Sequence, residues 1–316
     1  MTKKLILIAA AAASLAACNR SPEYYFRKGN YLQSIGEQGK ALENYNKSLL
    51  LDVRNPAAHT SRGLLYESMG DREKAGLDYR RAISIDFSYL PAYNNYGAML
   101  MDSGDYQQAV RLFSEALAVK PGYAYALLNR GLSYYKMGDC PSAVSDLTAA
   151  LKLNPKFELA YYHRALCESK SGDLVSAVSD LDALLALNPA AALARFEHGK
   201  ILYAMGDYAG ASQDFSKAAS LQPKDFGCQY WLALSLYRSR YYEGALDAAK
   251  SAVQLDPKSA QAEGLLGDIY AASGNARPAA ACYAQAASLA PRYASFYRAR
   301  TEALSRRSRR ARPLRR

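Results

Sequence analysis

Residues 124–157 read AYALLNRGLSYYKMGDCPSAVSDLTAALKLNPKF. From Ala124, small or apolar residues return at Leu127, Leu128, Gly131 and Tyr134, the three-and-four spacing of one helical face. Gly138 then ends the helix, because a residue just past a helix often needs the left-handed conformation that glycine adopts freely. A second face follows in Ala143, Leu147, Ala150 and Leu153. Asn154-Pro155 stops it, since proline cannot continue the hydrogen-bond ladder and restricts the residue before it. The stretch predicts two amphipathic helices joined by a tight turn. Gly131, Ala143 and Ala150 let the pair approach closely, and larger groups there would overpack the contact.

The same pattern extends in both directions. Prolines stand at 121, 155, 189, 223, 257 and 291, each 34 residues from the last. Alanine keeps this period at 41, 75, 109, 143, 177, 211, 245 and 279. Glycine keeps it at 36, 70, 104, 138, 172, 206 and 274, with Arg240 as the exception. Such self-similarity marks a stacked repeat architecture. Eight repeats fit without insertion between residues 22 and 293, beginning at Pro22, Pro56, Leu90, Ala124, Glu158, Ala192, Phe226 and Ala260. Positions are counted below from these residues.

The repeats resemble tetratricopeptide repeats. That family places large or aromatic, small, turn and proline residues at positions 4, 7, 8, 11, 15, 20, 24, 27 and 32. The third repeat matches with Tyr93, Tyr96, Gly97, Leu100, Gly104, Ala109, Phe113, Ala116 and Pro121. The sixth matches with His198, Gly199, Leu202, Gly206, Ala211, Phe215, Ala218 and Pro223. The resemblance implies an all-α fold: a right-handed solenoid of about eight helix-turn-helix repeats over residues 19–293, with a C-terminal capping helix. Tyr293, Phe296, Tyr297 and Leu304 suggest that cap over residues 294–304, since the open end of a stack must be covered. Departures are local. Position 7 is arginine at Arg62, Arg130 and Arg164, and Arg195 takes position 4 of the sixth repeat. The seventh has Arg240 for glycine and Ala249 for the aromatic, so its turn and packing are expected to be the least regular.

The chain has 316 residues and a net charge of +11, which invites a nucleic-acid reading until the charge is located. Lys3 and Lys4 carry two of those charges, and ten arginines against Glu302 between 292 and 316 carry nine. Residues 19–291 are therefore neutral. At the N-terminus, Lys3-Lys4 precedes an uncharged run from Leu5 to Ala17, too short to span a bilayer and shaped like a secretory leader. Leu15-Ala16-Ala17-Cys18 resembles the bacterial lipobox, in which the cysteine is acylated and becomes the mature N-terminus. Residues 1–18 are thus expected to be a lipoprotein signal peptide with Cys18 lipidated, and Asn19 implies outer-membrane sorting with the protein on the periplasmic face. Residues 305–316 are mostly arginine and small residues, expected to be a disordered tail that either contacts anionic lipid or only solubilises the end. Nucleic acid would be excluded by compartment.

No catalytic constellation is present. His59, His163 and His198 lie in different repeats, and the sequence has no H-E-x-x-H, G-x-S-x-G or Walker-type motif and no zinc-like cysteine spacing. No cofactor or metal is expected. Carboxylates such as those of Gly70-Asp71 and Gly138-Asp139 read as solvated turn charges. Cys167 and Cys228 take small packing positions. Cys140 begins a second helix and Cys167 lies late in the next first helix, an antiparallel course that leaves a disulfide open beside simple burial.

In the family, positions 2, 5, 9, 12 and 13 of each first helix line the concave surface. Here the first three repeats offer mainly polar residues there, including Asn30, Gln33, Thr60, Glu67, Asn94 and Asp102. The middle repeats offer Tyr125, Leu128, Leu132 and Tyr135; Leu159, Tyr162 and Leu166; Leu193, Phe196 and Tyr203; and Tyr230, Leu234 and Tyr237. Lys136, Lys170, Lys200 and Arg238 run alongside. Asn95 and Asn129, at position 6, would hydrogen-bond a peptide backbone as asparagines near this site do in the family. An apolar stretch of this extent, rich in tyrosine, marks an interaction surface. The alternative is that these side chains fill the interior against one another. The resemblance implies a non-catalytic, periplasm-facing lipoprotein scaffold that binds a protein or peptide partner for envelope assembly, of the pilus-pilotin or hydrolase-adaptor type. A carrier of a lipid or glycan chain is the alternative reading.

Overall fold

The structure, a computed structural model, describes residues 21–310, with side chains through Arg306. The expected leader, its Cys18 and the last six residues lie outside the described residues. Among the described residues all regular structure is helical, in 17 α-helices and one short 3₁₀ turn. The chain divides into two compact units, Met1–Ala160 and Tyr161–Arg316.

In the N-terminal unit the repeats are the pairs α1 (Pro22–Ser34) with α2 (Gln38–Leu51), α3 (Pro56–Ser68) with α4 (Arg72–Ile85), α5 (Leu90–Asp102) with α6 (Tyr106–Val119), and α7 (Ala124–Met137) with α8 (Cys140–Leu153). The boundary between units falls early in α9 (Glu158–Ser171), which pairs in sequence with α10 (Leu174–Leu187). The C-terminal unit continues with α11 (Ala192–Ala204) and α12 (Tyr208–Leu221), α13 (Phe226–Arg238) and α14 (Tyr242–Leu255), and α15 (Ala260–Ala272) and α16 (Ala276–Leu289). Within each unit the two helices of a repeat pack together, and first helices of successive repeats also touch, as α3 does α5 and α13 does α15.

The periodic residues explain the geometry. Gly36, Gly70, Gly104, Gly138, Gly172, Gly206 and Gly274 all have φ between 79° and 90°, the left-handed conformation that turns the chain between paired helices. Asp71, Asp105, Asp139, Asp173 and Asp207 follow the turns and cap the second helices, each accepting a hydrogen bond from the backbone N–H three residues on. These carboxylates are helix caps rather than the merely solvated charges the sequence suggested. The seventh repeat was expected to be irregular, but Arg240 adopts the same turn at φ 63° and α13 and α14 keep the usual lengths. A side chain with a Cβ is strained there, so Arg240→Gly is expected to raise stability by about 1 kcal/mol. Urea unfolding checks this; a fall would mean that the arginine side chain itself holds the turn.

The core lies between paired helices, where position 24 is fully buried at Tyr45, Tyr79, Phe113, Leu147, Leu181 and Phe215. Where that residue is tyrosine, its hydroxyl meets polar side chains of the first helix. Tyr45 Oη lies 2.7 Å from Asn30 Oδ1 and 2.6 Å from Gln33 Oε1, and Tyr79 Oη donates to Glu67 at 2.8 Å. Several polar residues assigned from sequence to the groove are thus partners of buried tyrosines.

Position 7 arginines pair with position 23 aspartates. Arg62 Nε and Nη2 each lie 2.7 Å from Asp78, Arg130 grips Asp146 at 2.7 and 2.8 Å, and Arg164 grips Asp180 at 2.6 and 2.5 Å. The fork also reaches the preceding repeat, with Arg62 Nη1 donating to Asn46 and Arg130 Nη1 to Ser114. His59 adds a contact to Asp78 at 2.9 Å. Burial disfavours the Asp78 carboxylate, but its bonds from Arg62 and His59 outweigh that and hold its pKa below the ordinary range. A depressed carboxyl stabilises the fold above its unfolded pKa and loses that contribution as pH falls through the folded one, so this staple fails only in acid.

The C-terminal unit ends in a 3₁₀ turn, Pro291–Tyr293, and α17 (Ala294–Arg310), which packs on α16. Tyr297 and Leu304 face Ala279, Tyr283 and Ala286, the capping contact the sequence implied. The helix does not stop at residue 304: it runs through Arg310, so the first six residues of the expected tail continue the cap. One turn beyond the apolar face, nothing in the arginine-rich sequence breaks a helix, since arginine is a good helix former.

Candidate binding groove

In the N-terminal unit, α7 carries the predicted residues of the fourth repeat. Tyr125 is 54% exposed, with its ring 5.4 Å from Phe157 and 6.2 Å from Tyr123. Leu159, at the equivalent position of the next repeat, is 55% exposed. Leu132 and Tyr135 are half-buried and Lys136 is exposed. Leu128 is buried instead, so it belongs to the core rather than to a surface. Asn129 gives an amide hydrogen to Asn94 Oδ1 at 2.9 Å, which ties two predicted groove residues to each other.

In the C-terminal unit the aromatics gather into one cluster. Phe196 stands 5.5 Å from the buried Phe215, which stacks at 5.8 Å on Trp231. Tyr203 meets Trp231 at 5.3 Å and Tyr208 at 5.0 Å, while Tyr230 stacks on Phe226 at 5.8 Å and meets Trp231 edge-on. Tyr162 packs on the buried cluster that includes Ala165 and Leu181, and Leu234 and Tyr237 pack on the cluster that includes Leu265 and Ile269. Leu166 is half-buried. These side chains form an aromatic floor, each ring partly covered by its neighbours, beside the exposed Leu193. Lys170 and Arg238 are exposed. Lys200 is not available as a rim charge: it pairs with Glu197 at 2.8 Å, 5.8 Å from the Phe196 ring.

Trp231 sits at position 6, where the other middle repeats have Asn129, His163 and Glu197. It joins Tyr203, Phe215 and Tyr230 into one cluster, and the only available sequence signal was the lone tryptophan at a polar position. His198 is buried and lies 2.5 Å from Asp214, which Arg195 also approaches at 3.3 Å, so this histidine takes the place of the position 7 arginine.

Two features bear on chemistry. Burial and the neighbouring Asp180 carboxylate raise Glu168 to about 7, with Arg164 working against them. The folded chain holds this proton more tightly than the unfolded one, so its contribution to stability falls as pH rises from about 4.5 to about 7. Burial and Asp225 push the Cys228 thiol up to about 12, which suits a packing residue and not a nucleophile. Cys140 and Cys167 are not joined: both are thiols, and Cys167 is fully buried as a small packing residue. Among the described residues no group of His, Cys, Asp and Glu could hold a metal ion. No helix there is long and apolar enough to cross a membrane.

Family models described as tetratricopeptide repeat match residues 22–52, 56–89, 128–192, 169–226, 196–260 and 260–293, and one described as TPR repeat matches 97–138. The chain belongs to the tetratricopeptide repeat family. Among solved tetratricopeptide structures, PilF of Pseudomonas aeruginosa is 20% identical, with a TM-score of 0.60 over 67% of this chain and 96% of that one. PilW, described as a widely conserved type IV pilus biogenesis factor, is 22% identical, with a TM-score of 0.58 over 67% and 98%. YrrB, described as having an unusual peptide-binding site, is 22% identical, with a TM-score of 0.52 over 58% and 95%. At these identities the likeness is one of fold. No curated protein matches the chain significantly.

Proposed function

We propose that this tetratricopeptide protein is a non-catalytic scaffold of the cell envelope, anchored through an acylated Cys18 and facing the periplasm. Its partner is a protein or peptide with apolar anchors and acidic groups. The aromatic floor around Phe196, Tyr203, Tyr230 and Trp231 carries this reading. Rings with a large face and a polar edge bind side chains without losing many rotors. Arg238, on the same helix as Tyr230 and Trp231, and Lys170 on α9 stand exposed to meet carboxylates. The leader ending in Leu15-Ala16-Ala17-Cys18 supports the anchor, and the fold of PilF and PilW makes pilus-type assembly the first pathway to test.

The test is crosslinked capture from cell envelopes. Phe196 and Tyr162 pack into the core, so their removal would confuse binding with folding. The exposed pair Leu193→Ala with Arg238→Ala, both in the C-terminal unit, avoids that. Loss of two interface anchors is expected to weaken capture at least about tenfold while helicity stays intact. Undiminished capture by this variant would place the site elsewhere. Palmitate labelling lost in Cys18→Ser checks the anchor, and a lipid or glycan that co-purifies with the protein would favour the carrier instead.

A further inference from the structure

The strongest feature outside the groove is the C-terminal cap. The repeat body is neutral while residues 292–316 carry +9, so the charge is concentrated at one end. Two aromatics are exposed there, Tyr293 at 49% and Phe296 at 52%. Each ring carries a guanidinium on its face: Arg292 lies 4.7 Å from the Tyr293 ring and Arg300 lies 4.7 Å from that of Phe296. A guanidinium stacked this way keeps in-plane N–H donors for a phosphate. Arg300 is also held by Asp268, and Tyr297 donates to Ala260 O at 3.1 Å, so the cap is fixed to the last repeat. Beside the rings opens a cavity of about 620 Å³ whose walls include Ala260, Leu289 and Ala290, with Lys258 and Arg292 at its rim. Two cations thus stand at a partly apolar recess with aromatic sides.

We propose that this cap docks on an anionic phospholipid bilayer, with Tyr293 and Phe296 entering the headgroup region while Arg292 and Lys258 beside them pair with phosphates. Aromatic rings with one polar edge favour that interface, and basic residues near an anionic surface are attracted to it. A bare arginine tail would serve any polyanion. The recess and the two exposed rings add an apolar contact that a bilayer satisfies, and the choice of bilayer over nucleic acid rests on the envelope reading above. Docking at this end would hold the array to the membrane at a second point, remote in sequence from Cys18.

The experiment uses the unacylated chain from Asn19 to Arg316. Ser21 already caps α1, so every described helix is retained. Cosedimentation with phosphatidylglycerol–phosphatidylcholine vesicles at low salt is expected to exceed that with pure phosphatidylcholine at least about 25-fold, the equivalent of two surface cations. Arg292→Ala with Lys258→Ala should weaken partition about 25-fold, at about fivefold per cation. Tyr293→Ser with Phe296→Ser should weaken it about tenfold with charge unchanged, as loss of two interfacial rings does. Should that variant unfold the cap, Phe296→Trp in the Trp231→Phe background serves instead, and its emission should shift to the blue on the anionic vesicles. Equal binding to both vesicle types, no effect of the ring substitutions, an unshifted tryptophan, or equally tight binding to a duplex oligonucleotide would each overturn the proposal. Palmitate labelling and partner capture read the anchor and groove separately, so either can fail without the other.

Discussion

Asp146→Ala is expected to destabilise the N-terminal unit by about 3 kcal/mol, near the lower end for breaking a buried ion pair. The Asp146 side chain is 9% exposed and holds two nitrogens of Arg130, itself only 23% exposed. Removing the carboxylate leaves a guanidinium without its counter-charge, and the remaining bond to Ser114 does not neutralise it. The double substitution Arg130→Leu with Asp146→Leu should instead fall within about 1 kcal/mol of the parent, since well-packed apolar residues can replace a buried pair. This chain already contains such replacements. Tyr96 and Leu112 occupy the two positions in the third repeat, and Leu232 and Ala248 occupy them in the seventh. Where position 7 is charged or histidine in the middle repeats, position 23 is aspartate; where it is apolar, position 23 is apolar. Urea unfolding of the single and double variants separates the two cases. If Asp146→Ala costs nothing, the pair is a surface contact despite its burial.

That pairing also marks the limit of what the sequence made legible. The 34-residue period located every repeat helix, because an amphipathic face and its terminators are local signals. Arg62, Arg130 and Arg164 read as departures from the family pattern because their partners lie 16 residues on, across a turn and on another helix. A face calculated for one helix contains no trace of that contact. The groove was legible in the same partial way. Position 5 identified the face, but Leu128 sinks into the core while Tyr125, on the same helix, remains half exposed. Depth depends on the volume that neighbouring helices supply, as with Phe196 against Phe215. Arg240 shows the converse: a repeat can keep its turn without the glycine when flanking helices enforce the conformation.

Volume matching within a repeat supports the second large effect. Gly97→Val is expected to cost about 3 kcal/mol, at the upper end of the overpacking range. A Cβ at Gly97 would lie 2.5 Å from ring carbons of Phe113, which is fully buried and has no room to withdraw. The same approach recurs in the sequence. Glycine at position 8 faces an aromatic at position 24 in Gly29–Tyr45, Gly63–Tyr79, Gly199–Phe215 and Gly267–Tyr283. Alanine takes position 8 only where the opposing residue is smaller, as in Ala165 with Leu181 and Ala233 with Ala249. Gly97→Ala should therefore remain destabilising, although alanine recovers up to about 1 kcal/mol of helix propensity. With Phe113→Leu as the background, Gly97→Ala should become neutral or stabilising, because that pair reproduces Ala165 and Leu181. A four-variant unfolding cycle reads the coupling directly. Additive costs would mean that the glycine serves only backbone flexibility, whereas a change of sign assigns it to the ring that fills the space above it.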